Sequence, residues 1–158
     1  MEEQKTILVT GGSGFIGSVT CKLLVDSGFN VINIDKVKRK LEGVTQYPFD
    51  ISNSQVKGIL DLTKPDAIIH LAAHHSVPKS IAEAKEYYLN NVANSITLIN
   101  NAIESGVKHF VFSGSSSVYG DSEFLLNSET DPTAPKTPYG RSKVMVEDIS
   151  NDVSNSHD

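Results

Sequence analysis

The chain has one cysteine, Cys21, so no internal disulfide can staple it. No apolar run approaches the roughly 20 residues a membrane-crossing helix requires. The opening MEEQK lacks the basic start and apolar core of a secretory leader. These absences lead us to expect a cytoplasmic protein that no membrane holds. Positive charge is scarce too: 14 Lys and Arg stand against 19 Asp and Glu, for a formal net charge of -5. Nucleic acid and anionic lipid both select a basic footprint, so the expected partners are small molecules or proteins. Repeats and low-complexity tracts are missing as well. What remains is 158 residues, 39% hydrophobic and 21% charged, which suits one globular domain with its own core.

Apolar, β-branched runs alternate with segments of helical period. Strands are predicted at 5–10 (KTILVT), 30–35 (NVINID), 45–49 (TQYPF), 66–71 (DAIIHL) and 108–113 (KHFVFS). A helix is predicted over 15–27, with apolar Ile16, Val19, Leu23 and Leu24, ending at Gly28 as a C-terminal cap. A shorter one is predicted over 54–61, and a long one over 80–105 with Ile96, Leu98, Ile99 and Ile103 as its buried stripe. Strands without polar alternation, separated by helices, predict an α/β fold, a doubly wound parallel sheet covered on both faces, over 1–150. The remaining 151–158 form a polar tail. The stretch 114–138, rich in Ser, Pro, Thr and Gly, is expected as a long loop, and loops of that length are usually functional or disordered.

TGGSGFIG, residues 10–17, places Gly11, Gly14 and Gly17 in a G-x-x-G-x-x-G pattern between the first strand and the first helix. Glycine lets the backbone turn and approach a pyrophosphate, and the helix N-terminus offers free N–H groups and a favourable dipole. Asp35 closes the second strand about 20 residues on, where a carboxylate accepts the ribose hydroxyls of NAD and repels the 2′-phosphate of NADP. Lys36, Lys38, Arg39 and Lys40 follow it. They read either as a solvated basic loop or as a cationic seat for that phosphate, and NAD is favoured. Asp50 and Ile51 sit where an acid can meet the adenine amine and an apolar group can cover the ring; a helix cap is the other reading of Asp50. In HLAAHHSVP, small Ala72 and Ala73 allow a close approach to a cofactor. Adjacent His74 and His75 point apart with no Cys or carboxylate cluster nearby, so no metal site is expected.

If Pro138 opens a helix, Tyr139 and Lys143 at i and i+4 share one face. A tyrosine is a poor base at neutral pH, but a neighbouring ammonium favours its phenolate and makes it a usable proton acceptor. SGSSSVYG, residues 113–120, follows the fifth strand, at the carboxyl end where such sheets place their ligands. A serine hydroxyl there can hold the oxygen that Tyr139 deprotonates.

TGGSGFIG, Asp35, Asp50 with Ile51, HLAA, the NNV at 90–92, SGSSSVYG and the P-x-x-P-x-x-x-Y-G-x-S-K run together resemble the extended short-chain dehydrogenase/reductase family. Within it, the chain is most similar to nucleotide-sugar epimerases of the UDP-glucose 4-epimerase type. The resemblance covers 5–148. It implies NAD bound by Gly11, Gly14, Phe15, Ile16, Gly17, Asp35, Lys36, Asp50, Ile51, Leu71, Ala72, Ala73, His75, Asn90, Ser113, Tyr139 and Lys143. It implies Ser115, Tyr139 and Lys143 as the catalytic residues, a UDP-hexose as substrate, and inversion at C4′ through transient oxidation.

Sugar 4,6-dehydratases resemble this layout but carry an acidic residue before V-Y-G, where this chain has Ser116 and Ser117, so elimination is disfavoured. Epimerase-reductases place a cysteine near that point, and none is here. UDP-galactose-type epimerases usually have a lysine where this chain has His75, which admits N-acetylated or uronic sugars. Family members run about twice as long, adding a C-terminal substrate lobe. The resemblance therefore implies an N-terminal half, either active or a non-catalytic NAD-binding module. It also implies a homodimer formed by 80–105 and the tyrosine helix.

Overall fold

The computed structural model describes residues 4–121 and 126–156. Five strands, β1 (Thr6–Thr10), β2 (Asn30–Ile34), β3 (Val44–Tyr47), β4 (Ala67–His70) and β5 (His109–Phe112), form one parallel sheet in the order β3-β2-β1-β4-β5. The doubly wound sheet is thus present. The order reverses beside β1, so the crevice at a topological switch point opens at the carboxyl ends of β1 and β4.

The chain divides into two compact units, one of residues 1–72 with 97–113, the other of 73–96 with 114–158. In the first unit, Ile7, Val9 and Val31 face helix α1 (Phe15–Asp26) and pack against its Cys21, Leu24 and Val25. On the other face, Leu8, Ile32, Ile34 and Ile68 meet Val56, Ile59 and Leu60 of α2 (Gln55–Thr63), with Leu98 and Ala102 of the helix that precedes β5. Each such side chain, fully buried, contributes about 1.5–3 kcal/mol. Of the four apolar residues read from the sequence of this helix, Leu24 packs on the core, while Ile16, Val19 and Leu23 lie on the exposed side of α1, at 61%, 52% and 60%. The sheet-facing side uses Gly17 and Cys21 because the helix start lies too close to the strand ends for larger groups. Gly28, at φ +87°, ends α1, and its N–H donates to Val25 O at 2.9 Å.

In the second unit the expected helix over 80–105 is broken. It starts earlier, as α3 (Val77–Ala82), continues as α4 (Ala84–Tyr88), widens into a π-turn (Leu89–Ala93) and resumes as α5 (Asn94–Glu104), whose later residues return to the first unit. Ser76 caps α3, and the chain leaves helical geometry at Glu83, with φ -121° and ψ 40°. The buried stripe of α5 is shifted from the predicted one: Leu98, Ile99 and Ala102 are buried, Ile103 is half-buried and Ile96 is 36% exposed. Within 114–138 a 3₁₀ turn spans Ser116–Val118, and Ala134 N donates to Val118 O at 2.9 Å, tying the loop back on itself. Pro138 does open a helix, α6 (Pro138–Ser156). Residues 151–156, read from sequence as a polar tail, continue that helix. None of the helices among the described residues is long and apolar enough to cross a membrane.

Candidate functional site

The glycine loop is held in the first unit by hydrogen bonds from β2. Gly12 N donates to Asn33 Oδ1 at 2.9 Å, and Asn33 Nδ2 donates to Ser13 Oγ at 3.2 Å. Ser13 N donates to Asp35 Oδ2 at 2.9 Å and Val37 N to Asp35 Oδ1 at 2.8 Å, so two backbone amides fix the carboxylate. Arg39 reaches back to Ser13 O at 3.4 Å and Ser18 Oγ at 3.3 Å. That engages one member of the basic loop with the start of α1. Gly11, at φ +76°, has no room for a Cβ: one would stand 2.7 Å from Ala72 N. A Cβ on Gly17 would strike Gly11 O. The glycines therefore bring β1, α1 and the end of β4 to contact distance, and the free N–H groups at the start of α1 fit a pyrophosphate.

The remaining first-unit candidates scatter around this frame. Phe15 and Ile16 are exposed at the opening of α1. Asp50 accepts Ser52 N at 3.0 Å and Ser52 Oγ at 2.9 Å and lies 3.9 Å from Lys36 Nζ. Helix α2 begins only at Gln55, whose N–H goes to Asn53 Oδ1, so Asp50 is not its cap. Ile51 is buried in the core beside Val56. Leu71 N donates to Thr10 O, Ala72 N to Thr10 Oγ1 at 3.3 Å, and Ser113 N to His70 O. Thr10 Oγ1 also meets His70 Nδ1 at 2.6 Å, and the centroid of the His70 ring lies 5.8 Å from that of Phe110 and 5.7 Å from that of Phe112. Cys21 is no nucleophile, since burial, helped by the Asp35 charge, pushes its thiol up to about 11.

The second unit holds the proton-transfer candidates. Gly140 N donates to Thr137 Oγ1 at 3.2 Å, a cap that starts α6 two residues before Tyr139. Gly140 packs the helix hard against the 3₁₀ turn: a Cβ there would be 2.5 Å from Ser117 O. Ser115, just before that turn, accepts Ser117 N at 3.2 Å, which engages a lone pair of its hydroxyl and not the hydrogen. Lys143 is 4% exposed, and its Nζ stands 5.9 Å from the Tyr139 ring centroid. Burial pulls its ammonium down to about 8, against the attraction of Glu147, which raises it. Glu147 is itself raised, by burial first and then by Asp148. A lysine of this kind carries its charge at pH 7 yet titrates within reach of it. Asn90 donates through Nδ2 to Asn91 Oδ1 at 2.9 Å. Ala73 is half-buried and His75 exposed. His74 sets its ring 5.5 Å from that of Tyr87. Among the described residues no three His, Cys, Asp or Glu stand together as metal ligands.

Sequence reasoning missed Asn33, Thr10 with His70, Asn91 and Glu147. A polar residue inside the apolar run NVINID was the available signal for Asn33. Asn91 stood inside the NNV at 90–92 that carries the family resemblance, although only Asn90 was taken from it, while nothing in the spacing of Glu147 separated it from surface residues.

A family model described as Epimerase, the NAD dependent epimerase/dehydratase family, matches residues 7–158. A UDP-glucose 4-epimerase of Halalkalibacterium halodurans is 39% identical over 146 residues, 89% of this chain and 44% of that protein. The solved UDP-Glc/GlcNAc 4-epimerase of Campylobacter jejuni superposes with a TM-score of 0.91 at 33% identity, over 96% of this chain and 50% of that one. The UDP-glucose 4-epimerase of Bifidobacterium longum, solved with NAD+ and UDP, gives a TM-score of 0.90 at 31% identity over 96% and 50%. The chain thus spans about half the length of the relatives it matches.

Proposed function

The chain belongs to the NAD-dependent epimerase/dehydratase family, and from that premise we propose that it carries the cofactor-binding and proton-transfer half of a nucleotide-sugar 4-epimerase. NAD, when bound, supplies the hydride acceptor and donor. Gly11, Gly14, Gly17 and the start of α1 would receive its pyrophosphate, Asp35 would hold its adenosine ribose, and Lys143 would hold its nicotinamide ribose. Tyr139 takes the proton of the 4′-hydroxyl of a UDP-hexose as the C4′ hydride leaves, giving a 4-keto sugar. Ser115 donates its hydroxyl hydrogen to the same oxygen. Once the sugar presents its other face, the hydride returns to C4′ and Tyr139 gives back the proton. Configuration inverts with no net oxidation, and no external oxidant is consumed.

The observation that carries this reading is the pair on α6: Tyr139 and Lys143 one turn apart, the lysine 4% exposed and 5.9 Å from the ring centroid. Its test is the purified chain incubated with NAD and UDP-glucose or UDP-galactose, with the nucleotide sugars separated by chromatography. Formation of the other epimer, lost in Tyr139→Phe, supports it. The alternative is an NAD-binding module without turnover. Bound NAD with no epimer, unaffected by Tyr139→Phe, would establish that one instead.

The second unit also bears an apolar groove lined by Tyr88, Leu89, Val92, Ala93, Ile96 and Met145. Leu89 and Met145 are 48% and 39% exposed. A second copy placed on it by a two-fold axis would bury both helices, as the homodimer reading requires. Sedimentation of a monomer at all concentrations would exclude that dimer.

A further inference from the structure

We propose that Asn33 is a positioning residue that joins the glycine loop to the Asp35 carboxylate, so that the adenosine diphosphate part of a dinucleotide meets one rigid frame. Side chains alternate along β2: Ile32 and Ile34 enter one core cluster and Val31 the other. Asn33 shares the face of Val31, where the pattern calls for another apolar group, and it is 1% exposed. A buried amide is costly unless it is hydrogen-bonded. Its Oδ1 accepts Gly12 N at 2.9 Å and its Nδ2 donates to Ser13 Oγ at 3.2 Å, so both partners are consecutive residues of the glycine loop. Gly12 rests directly on the amide: a Cβ there would stand 2.6 Å from Asn33 Cγ and 2.9 Å from Cys21 Sγ. That contact accounts for the second glycine of TGGSGFIG, which lies outside the spacing of Gly11, Gly14 and Gly17.

Ser13 carries the connection onward. Its hydroxyl, bonded from Asn33, donates to Val37 O at 2.6 Å, and its N–H donates to Asp35 Oδ2 at 2.9 Å. Val37 N completes the ring on Asp35 Oδ1 at 2.8 Å. Each carboxylate oxygen is thus aimed by one backbone N–H, and an ionised carboxylate, with about four lone-pair sites, still has acceptors for ribose hydroxyls. The loop that would meet the pyrophosphate and the acid that would meet the ribose are set by one side chain buried beneath them. All of these residues lie in the first unit. Leucine at position 33 has a similar volume and neither bond, which leaves the buried Gly12 N–H without its acceptor.

The cofactor side of this inference rests on the NAD reading of the site, and two measurements separate them. Amide hydrogen exchange, read by NMR, follows Gly12 without any ligand. Calorimetric titration with NAD and with ADP follows binding, and circular dichroism checks the fold. In Asn33→Leu, Gly12 N–H is expected to exchange about tenfold faster or more relative to Leu8 and Val9 in β1. NAD should bind about tenfold or more weakly, since the loop geometry that binds becomes a minor state. ADP should lose affinity by the same factor, because the frame holds that part of the molecule. Ser13→Ala removes the acceptor of Asn33 Nδ2 and keeps the N–H to Asp35, so a smaller loss in the same direction is expected. Destabilisation alone lowers the melting temperature but leaves Gly12 in step with the strand and both affinities of the folded protein unchanged, and that result overturns the proposal. A loss for NAD that ADP does not share overturns it too. If Asn33→Leu does not fold, unchanged affinities in Ser13→Ala do so. A wild-type chain that binds neither NAD nor ADP rejects the cofactor reading; Gly12 exchange then decides on the clamp alone, which is kept by the rise and overturned without it.

Discussion

Replacing Lys143 with methionine should make the cofactor-free protein more stable at neutral pH and flatten its alkaline stability profile. The lysine is 4% exposed, and burial lowers its pKa from 10.5 to about 8. Below about pH 8 both folded and unfolded chains hold the proton, and the cost of burying the charge is present in full. Between about 8 and 10.5 the unfolded chain holds more protons than the folded one, so stability climbs with pH. The gap between 10.5 and about 8, at about 1.4 kcal/mol per pH unit, makes that climb about 3 kcal/mol. Methionine keeps an apolar stem of similar length and has no charge to desolvate. Urea unfolding followed by circular dichroism from pH 7 to 10.5 reads the difference, since the other lysines and tyrosines titrate in both proteins and cancel. Lys143→Met is expected to start up to about 3 kcal/mol above wild type and to meet it near pH 10.5. Parallel profiles would refute the reasoning, because they would mean that Lys143 is solvated in the fold.

Gly17→Ala should destabilise by about 1–3 kcal/mol and weaken NAD binding, since the added Cβ meets Gly11 O and lies 2.6 Å from Gly12 Cα, backbone that cannot turn aside; thermal shifts with and without NAD report both effects. Thr10→Val removes the bond to His70 Nδ1 and the acceptor for Ala72 N, and a loss of about 1–3 kcal/mol in urea is expected. Glu147→Gln deletes the charge that raises Lys143, so the lysine should titrate below about 8 by NMR. Glu147 is itself raised from 4.5, which means its contribution is present at acid pH and lost as pH rises through the raised value. The glutamine variant should lack that falling limb.

The architecture was legible because its signals are local. Apolar runs without alternation fell within a residue or two of all five strands, and Gly11, Gly14 and Gly17 announced a turn that the structure packs to contact distance. Pro138 marked the helix start correctly. The failures came where tertiary geometry outweighed periodicity. On α1 the apolar groups Ile16, Val19 and Leu23 marked the helix but not its core face, since the close approach of helix and sheet admits only Gly17 and Cys21 at the start. The helix over 80–105 was unbroken in pattern, since Glu83 and the NNVA segment carry no breaker residue. Burial decides Lys143 as well. Its spacing from Tyr139 was plain in TPYGRSK, while its low pKa depends on how α6 packs.

Transfer of hydride out of C4′ and back to the same carbon is the central claim, and isotope retention tests it most directly. UDP-glucose carrying deuterium at C4′ is incubated with the chain and NAD in ordinary water, and the nucleotide sugars are analysed by mass spectrometry. The account predicts UDP-galactose that keeps its deuterium at C4′, with none formed by Tyr139→Phe. Epimer that has exchanged deuterium for solvent hydrogen would contradict it, since the label would then have left as a proton and not as a hydride held on the cofactor.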